Sequence, residues 1–182
     1  LTPLREWIRA AECFVAFTGA GISTESGIPD FRSPGGVWSR TTPVYFEDFV
    51  ADPAERARYW RFKQESWPAV AAARPNAGHR ALAEWERRGR LRCLITQNVD
   101  GLHRLAGNAQ VIELHGTDRR VTCLSCGRET PRDEAFAAFE RTGEGPACGA
   151  CGGLLKVATI SFGQPLVEAD LAAAVEWAGR AD

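Results

Sequence analysis

The chain has 182 residues, which is enough for one domain or for a large domain that carries a small insert. Lys and Arg together number 22 and Asp and Glu number 23, so the charge balance gives no reason to expect a nucleic-acid partner or binding to an anionic membrane. The hydrophobic fraction of 45% is that of an ordinary soluble globular protein. No apolar run approaches the roughly 18–20 residues of a membrane span.

The N-terminal part of the chain predicts a helix, a strand and a long loop. Leu4, Trp7 and Ile8 fall on one face of a helix that begins at Thr2 and Pro3. The short apolar run 13–17 ends at a glycine turn, which is typical of a buried strand. The following residues, 22–45, are rich in Ser, Pro, Gly and Thr and predict a loop.

Further helices and strands alternate after this loop. Asp52, Pro53 and Glu55 read as a capping box that opens a helix, and Gly89 reads as the stop signal of the next one. Each strand candidate is followed at once by polar residues. The predicted helices span 53–68 and 76–89, and the predicted strands span 91–96 and 111–114. This alternation indicates an α/β fold with a parallel sheet.

Residues 117–157 contain two C-x-x-C pairs, formed by Cys123, Cys126, Cys148 and Cys151. Two such turns complete a tetrahedron of thiolates, which predicts a zinc ion with no open position and therefore a structural role. Two disulfides and a redox-active C-x-x-C are the alternatives, and the paired spacing favours zinc. The segment is too short to bury much of a core, so metal binding should supply much of its folding free energy.

The rest of the chain returns to an apolar stretch at 154–162 and a helix candidate at 168–178. The two remaining cysteines, Cys13 and Cys93, lie in apolar runs, where a free Cys behaves as a small buried hydrophobe. Free thiols indicate a reducing compartment, and we therefore expect a cytoplasmic protein.

Gly19, Ala20 and Gly21 follow the first predicted strand and suggest a dinucleotide-binding loop, since small residues let backbone N–H groups approach a diphosphate closely. The usual fingerprint requires a third glycine, and Thr24 stands in its place. No acidic residue follows as an evident ribose partner. An ordinary glycine turn is the alternative.

Longer blocks of sequence resemble the sirtuin family. Residues 19–32, GAGISTESGIPDFR, resemble the sirtuin cofactor-binding loop, and TQNVDGLH at 96–103 and ELHG at 113–116 resemble two further signatures. PNAGHRAL at 75–82 matches another family segment, and the Cys pairs match the zinc module of the family. The resemblance implies an incomplete Rossmann-like NAD-binding domain (1–116 and 158–182) with an inserted zinc-binding module (117–157).

The resemblance also implies the chemistry. Sirtuins bind NAD and an acyl-lysine protein in a cleft between the two parts. The acyl oxygen attacks the nicotinamide ribose, nicotinamide leaves, and the acyl group ends on ADP-ribose. We therefore expect removal of acyl groups, above all acetyl, from protein lysines. No Ser or Cys nucleophile is needed, because the substrate oxygen is the nucleophile.

Residue roles are carried over from the family motifs. His115 should be the general base, with Asn98 and Asp100 beside the nicotinamide ribose, whereas His79 and His103 should be structural. The expected cofactor-binding residues are Gly19, Ala20, Gly21, Ser23, Asp30, Phe31, Arg32, Gln97, Asn98, Asp100 and His115. The expected acyl-lysine contacts are Thr159, Ile160, Ser161, Phe162 and Gly163. The expected metal ligands are Cys123, Cys126, Cys148 and Cys151.

Two departures from the family pattern bear on acyl preference. The substrate segment reads TISFGQ at 159–164, where many sirtuins carry VVWFGE, so Gln164 replaces an acid and Ser161 a bulky apolar residue. Sirtuins that prefer succinyl or malonyl groups carry a Tyr-x-x-Arg pair, to which Trp60 and Lys63 are the best match here. Without an arginine fork to bind a carboxylate, neutral acyl groups are favoured.

Two other functions remain open at this point. A mono-ADP-ribosyltransferase would share the early NAD chemistry, and a non-catalytic zinc-ribbon module would have no need of Asn98, Asp100 or His115. The resemblance places the adenosine-binding residues beyond Asp182. Residues 1–182 by themselves are therefore expected to be poorly active.

Overall fold

The computed structural model describes residues 2–31 and 33–182. Its strands are β1 (Phe14–Thr18), β2 (Leu91–Thr96), β3 (Val111–Glu113), β4 (Gly116–Cys123), β5 (Glu129–Thr130) and β6 (Leu155–Thr159). Its α-helices are α1 (Thr2–Ala10), α2 (Phe46–Ala51), α3 (Pro53–Ala72), α4 (Ala77–Arg87), α5 (Leu102–Ala106), α6 (Arg132–Thr142) and α7 (Glu168–Gly179). No helix within these ranges is long and apolar enough to cross a membrane.

The first sheet is parallel, in the order β1-β2-β3, which confirms the α/β prediction. Leu82 and Trp85 of α4 pack on one face of this sheet. Ala174 and Trp177 of α7 pack on the opposite face. Because helices cover both faces, β2 is buried along its length except at Arg92.

The second sheet is antiparallel, in the order β5-β4-β6. It shares a large core with α2, α3 and α6, and Trp60 of α3 lies between Phe136 and Phe139 at ring-centroid distances of 4.8 and 6.2 Å. The expectation that this part of the chain could bury little apolar surface was therefore wrong. Two helices from earlier in the chain supply Phe49, Tyr59 and Trp60 to its core.

Local capping explains where α3 and α4 begin. The Asp52 carboxylate accepts a hydrogen bond from Ala54 N at 2.8 Å. Asn76 caps α4 and forms a reciprocal capping box with His79. Gly89, at φ +70°, follows the C-terminus of α4 as predicted.

Several boundaries differ from the predictions. Helix α3 does not end at residue 68 but continues through Pro68 to Ala72, and Val70 in this last turn is buried. The predicted loop 22–45 contains two 3₁₀ helices, Ala20–Ser26 and Val37–Ser39. Helices α2 and α5 were not predicted. Trp7 is 70% exposed rather than buried.

The predicted domain boundaries at 116/117 and 157/158 both fall inside strands, since β4 begins at Gly116 and β6 ends at Thr159, its pairing partner. Helix α7 contacts the first sheet. The division into a Rossmann-like domain and an insert therefore remains a proposal. Its junction is antiparallel pairing of β4 with β6, which a register shift interrupts between Gly116 and Val121.

Lys156 is a buried lysine that the sequence did not mark, with 1% of its surface exposed. Its Nζ donates to the Thr159 carbonyl and lies 5.1 and 5.9 Å from the ring centroids of Tyr59 and Phe49. Burial, together with the nearby charge of Lys63, lowers the pKa of Lys156 to about 7. Above that pH the folded chain holds this amine neutral.

We expect the free energy of unfolding to rise with pH through this residue. Between pH 7 and the unfolded pKa near 10.4, the unfolded chain binds a proton that the folded chain does not. Between pH 7 and pH 9, the free energy of unfolding of the native protein should therefore rise by about 2 kcal/mol more than that of Lys156→Met. Urea unfolding of both proteins at the two pH values measures this difference. Arg61→Met, an exposed change on α3, should show the same change of unfolding free energy with pH as the native protein. If the native protein and Lys156→Met differ in unfolding free energy by the same amount at both pH values, Lys156 stays charged in the fold.

Candidate active site

The carboxyl ends of the three parallel strands meet at one edge of the first sheet. Gly19 follows β1, Gln97 follows β2 and His115 lies two residues after β3. Gln97 N donates to the Thr18 carbonyl at 3.0 Å, and Leu114 N donates to the Thr96 carbonyl at 3.0 Å, so the chain stays in register beyond the strand ends. Ligands of open α/β sheets bind at such an edge.

The glycine loop faces Gln97. Gly19 is extended, and a Cβ built on it would lie 4.0 Å from Gln97 Nε2. Ala20 and Gly21 then begin a 3₁₀ helix, and Gly21 has no atom within 4 Å of an added Cβ. The loop therefore leaves room for a ligand to approach its backbone, as the sequence predicted for a diphosphate.

Ser23, Asn98 and Asp100 form a buried polar cluster, with 1%, 6% and 5% of their surfaces exposed. Ser23 Oγ donates to Asp100 Oδ2 at 2.7 Å and accepts from Asn98 Nδ2 at 3.1 Å. The other carboxylate oxygen of Asp100 accepts from Leu102 N at 2.8 Å. Three buried polar side chains from two strand ends are thus held in one fixed arrangement. The sequence had marked all three residues, but it could not say that they touch.

Two buried histidines lie behind this cluster, with ring centroids 4.7 Å apart. His103 Nε2 lies 3.0 Å from Thr18 Oγ1, and His79 Nε2 lies 3.5 Å from Ser23 Oγ. Burial lowers the pKa of both histidines, that of His103 to about 4. Both rings are therefore neutral at physiological pH and support Ser23 and Thr18 through packing and hydrogen bonds.

His115 has one ring nitrogen committed to the protein. Its Nδ1 lies 3.1 Å from the Gln97 carbonyl. Because a carbonyl oxygen only accepts, Nδ1 carries the hydrogen in the neutral ring, and the lone pair is on Nε2. The His115 carbonyl accepts from Ile160 N at 2.9 Å. This residue therefore connects the sheet edge with the predicted substrate segment, and its Nε2 lone pair could accept a proton.

The segment of the predicted loop 22–45 that carries Asp30, Phe31 and Arg32 is described only in part. The Asp30 carboxylate accepts from Ser33 N at 2.8 Å and from Ser33 Oγ at 2.6 Å, so it caps a turn. The Phe31 side chain is 38% exposed. Arg32, the third residue predicted to contact cofactor here, lies outside the described residues.

The predicted substrate segment leaves β6 and forms a turn. Ser161 N donates to Gln164 Oε1 at 3.1 Å, and the Phe162 carbonyl accepts from Phe46 N at 2.9 Å. Gly163 has φ +78°, a backbone conformation that favours glycine. Thr159 is buried, whereas Phe162 is 46% exposed. Gln164, which replaces the acidic residue of the family pattern, thus closes the turn with its side chain.

Trp60 and Lys63 do not form an acyl-binding pair, and that match was wrong. Trp60 has no exposed surface and lies in the second core, and Lys63 Nζ is 2.9 Å from Asp118 Oδ1. Instead, Tyr59 of α3 approaches the substrate segment, with its hydroxyl 3.2 Å from Thr159 Oγ1. Successive helical residues differ by about 100° in direction, so a register error of one residue moves the side chain to another face.

The four cysteines of the C-x-x-C pairs come together. Their Sγ atoms all lie within 4.8 Å of one another, and Cys123–Cys151 and Cys126–Cys148 are separated by 3.5 and 3.9 Å. A tetrahedral zinc ion with Zn–S bonds of about 2.3 Å requires separations of about 3.8 Å. Disulfide bonds would require about 2.05 Å, and all six cysteines are free. The cluster therefore fits zinc and does not fit two disulfides.

Backbone N–H groups favour the thiolate at two of the cysteines. Those of Cys126 and Ser125 lower the pKa of Cys123 to about 6, and those of Ala150 and Cys151 lower the pKa of Cys148. Despite the N–H of Gly153, the neighbouring sulfurs raise the pKa of Cys151, and metal ligands must be deprotonated. A Cβ on Gly153 would lie 2.9 Å from Cys123 Sγ, so only glycine fits beside this sulfur. All four positions of a tetrahedron are filled by protein, which leaves none for substrate.

A profile of the Sir2 family matches residues 19–182. An NAD-dependent protein deacetylase of Thermodesulfovibrio yellowstonii is 45% identical over 97% of this chain and 69% of its own length. One of Rhodopseudomonas palustris is 46% identical over 98% of this chain and 72% of its own length.

Solved structures share the fold. A Sir2 variant with a deacetylated p53 peptide and 3'-O-acetyl ADP-ribose has a TM-score of 0.90 at 31% identity, covering 99% of this chain and 72% of its own. A complex of Sir2 with a p53 peptide and NAD+ has a TM-score of 0.86 at 32% identity, covering 98% and 71%.

Proposed function

The chain belongs to the Sir2 family, and on this premise we propose that it removes acyl groups, acetyl foremost, from lysines of proteins in an NAD-dependent reaction. NAD, when bound, supplies the nicotinamide ribose that accepts the acyl oxygen, and nicotinamide and O-acyl-ADP-ribose are the products. The observation that carries the proposal is the arrangement at the sheet edge. There the Gln97 carbonyl holds His115 Nδ1 and leaves the Nε2 lone pair free, and Ser23, Asn98 and Asp100 form a buried hydrogen-bonded cluster.

His115 acts as the general base in this proposal. Nε2 takes a proton from a ribose hydroxyl while Nδ1 keeps its hydrogen bond to the Gln97 carbonyl. Asn98 and Asp100 face the nicotinamide ribose and orient its hydroxyls and the nicotinamide amide. The fixed contacts of their side chains to Ser23 support this role, since preorganised polar groups need no rearrangement during the reaction.

The cofactor is held by the loops that follow the strands. Gly19, Ala20 and Gly21 present backbone to the diphosphate, and Gln97 lies opposite them. We propose further contacts to NAD from the loop residues Asp30, Phe31 and Arg32. Phe31 would shield the reacting sugar from water, and its partial exposure supports this assignment.

The acyl-lysine protein binds along Thr159, Ile160, Ser161, Phe162 and Gly163. The N–H groups of Ile160 and Ser161 already donate within the protein, so a peptide would pair by strand addition at the glycine end of the segment. The lysine arm would then pass beside Phe162 toward His115, whose backbone is bonded to Ile160.

A preference for neutral acyl groups follows from the charges near this segment. Lys63 is ion-paired with Asp118, and the nearest residue of α3 is Tyr59, whose hydroxyl is bonded to Thr159. Neither offers the forked donor that binds a carboxylate well. Acetyl-lysine should therefore react faster than succinyl-lysine.

The four clustered cysteines would hold a structural zinc ion that does no chemistry. The two cysteines outside this cluster, Cys13 and Cys93, form no disulfide, which supports a reducing, cytoplasmic location. The balanced charge supports protein substrates without direct contact to nucleic acid or membrane.

Nicotinamide release tests the proposal. Full-length protein is incubated with NAD and either acetyl-lysine peptide, succinyl-lysine peptide or no peptide, and nicotinamide and O-acetyl-ADP-ribose are measured. We expect both products with the acetyl peptide. Transfer of labelled ADP-ribose onto protein without O-acetyl-ADP-ribose would instead identify a mono-ADP-ribosyltransferase. No nicotinamide release with any peptide would leave only a binding role.

A further inference from the structure

An irregular stretch of β4 brings Asp118 and Arg119 against the loop that carries Asp100. β4 pairs with β6 at Gly116 and from Val121 onward, but the register shifts between these positions. Asp118 and Arg119 lie in this irregular stretch. Bulges of this kind re-aim side chains and are common next to active sites.

Both residues bond to the backbone of the loop that carries Asp100. Asp118 N donates to the Val99 carbonyl at 2.8 Å, and Arg119 Nε donates to the Asp100 carbonyl at 2.8 Å. Gly101 has φ +72°, and a Cβ there would lie 2.6 Å from Arg119 Nε. The next loop residue is therefore glycine for two reasons, its left-handed conformation and the close approach of this arginine.

The opposite side of the bulge is anchored by α3 and α6. The Asp118 carboxylate pairs with Lys63 Nζ at 2.9 Å, and both residues are at least 90% buried. Arg132 of α6 donates to the Asp118 carbonyl, and its guanidinium lies 3.9 Å from the Trp67 ring centroid. The bulge cannot shift without breaking these contacts, so the loop at Asp100 is tied to α3 and α6.

Nε is the atom of Arg119 that makes the contact. Its Nη2 is buried and meets no hydrogen-bond partner among residues 2–31 and 33–182. A buried donor without a partner lowers the stability of the fold. An arginine at this position is therefore unfavourable for stability unless its Nε bond serves another role. The Asp100 side chain is bonded to Ser23 and its backbone to Arg119, so the two contacts together fix the carboxylate.

We propose that Arg119 is a positioning residue for NAD binding, which holds the Asp100 loop in register with Ser23 and couples the zinc-bearing unit to the cofactor site. The inference rests on the proposed function, because Asp100 is assigned there to the nicotinamide side of the site. Arg119 acts through the backbone of Asp100 and makes no contact with the substrate in this proposal.

Three substitutions in the full-length protein separate positioning from a general effect on folding. Arg119→Met keeps the length of the stem but removes every donor. Arg119→Gln keeps an N–H at the position that Nε occupies, since its amide nitrogen is separated from Cβ by the same number of bonds. Arg120→Met is the matched control, because the neighbouring Arg120 is exposed and pairs with Glu129 on the surface.

The measurements are NAD affinity by calorimetry, KM for NAD, KM for acetyl-lysine peptide, and zinc content. Arg119→Met should weaken NAD binding and raise KM for NAD roughly tenfold, the order of one lost charged hydrogen bond. KM for the peptide should stay within about twofold of the native value, and zinc should stay at one ion per chain. The reason is that Arg119 contacts the loop that carries Asp100, which belongs to the proposed NAD site. Arg119→Gln should recover most of the NAD affinity, and Arg120→Met should match the native protein.

The outcomes distinguish this inference from the proposed function. Native NAD affinity in Arg119→Met would overturn the inference. An equal rise in the KM for NAD and the KM for peptide, together with loss of zinc, would also overturn it, because that result would indicate a structural role alone. If Arg119→Met does not fold, Arg119→Gln decides, because weak NAD binding with intact zinc in that variant would show that the Nε position is not what matters. A native protein that binds NAD but releases no nicotinamide refutes the deacylase function, while the binding comparison still stands.

Discussion

Replacing His115 by alanine should reduce deacylation by the full-length protein by ~10²-fold or more, the usual effect of losing a general base. The reason is the orientation of the ring. Its Nδ1 hydrogen is held by the Gln97 carbonyl, so Nε2 is the acceptor in the neutral ring. The side chain is only partly buried, so its removal should leave the fold intact. Steady-state turnover of an acetyl-lysine peptide measures the effect.

A second substitution separates proton transfer from geometry. His115→Asn retains a donor that can reach toward the Gln97 carbonyl but has no basic nitrogen at the Nε2 position, so it should be as inactive as the alanine variant. Gln110→Ala, an exposed change that precedes β3, should keep native turnover. Turnover near the native rate in either His115 variant would remove the residue from its role as the base.

Removal of zinc should abolish deacylation even though the metal does no chemistry. Cys148 is 4% exposed and belongs to the same core as Trp60, Phe136 and Phe139. With Cys148→Ala the tetrahedron of thiolates is incomplete, and zinc binding that contributes roughly 10 kcal/mol or more to such sites is lost or greatly weakened. The turns at the cysteines should then unfold and loosen β4, which carries Asp118 and Arg119.

Metal analysis and calorimetry measure the loss of zinc and of stability in Cys148→Ala. We expect one zinc ion per native chain, well under one in Cys148→Ala, and a lower melting temperature with no measurable turnover in that variant. Chelation of the native protein should give the same loss. Cys13→Ala is the matched control, because Cys13 lies far from the cluster in sequence and outside it in the structure, and this variant should keep its zinc. Active protein with well under one zinc per chain would refute the prediction.

Short-range rules sufficed for the elements with strong local signals. The apolar runs at β1, β2 and β3, the cap at Asp52 and the stop at Gly89 were all predicted, because each depends on neighbouring residues alone. The two C-x-x-C pairs likewise predict a metal site, because each C-x-x-C turn is specified by adjacent residues. Only the approach of the two turns to each other depends on the rest of the fold.

Long-range packing decided what local rules could not. Helix α3 passes Pro68 and contributes its Trp60 face to the core beside the zinc site, because that face meets Phe136 and Phe139 from much later in the chain. The rotation of α3 about its axis places Trp60 and Lys63 away from the predicted acyl site and places Tyr59 next to Thr159.

By itself, the sequence determined the α/β class, the two C-x-x-C turns and the polar residues that follow each strand. Only the tertiary structure decided that Ser23 bonds to Asn98 and Asp100, that His115 Nδ1 meets Gln97, and that Arg119 reaches the Asp100 carbonyl. The physical reason is that a strand end or a metal turn is specified by adjacent residues. A hydrogen bond between residues far apart in the chain depends on how whole elements pack, and a bulge such as that in β4 can redirect a side chain without any local sequence signal.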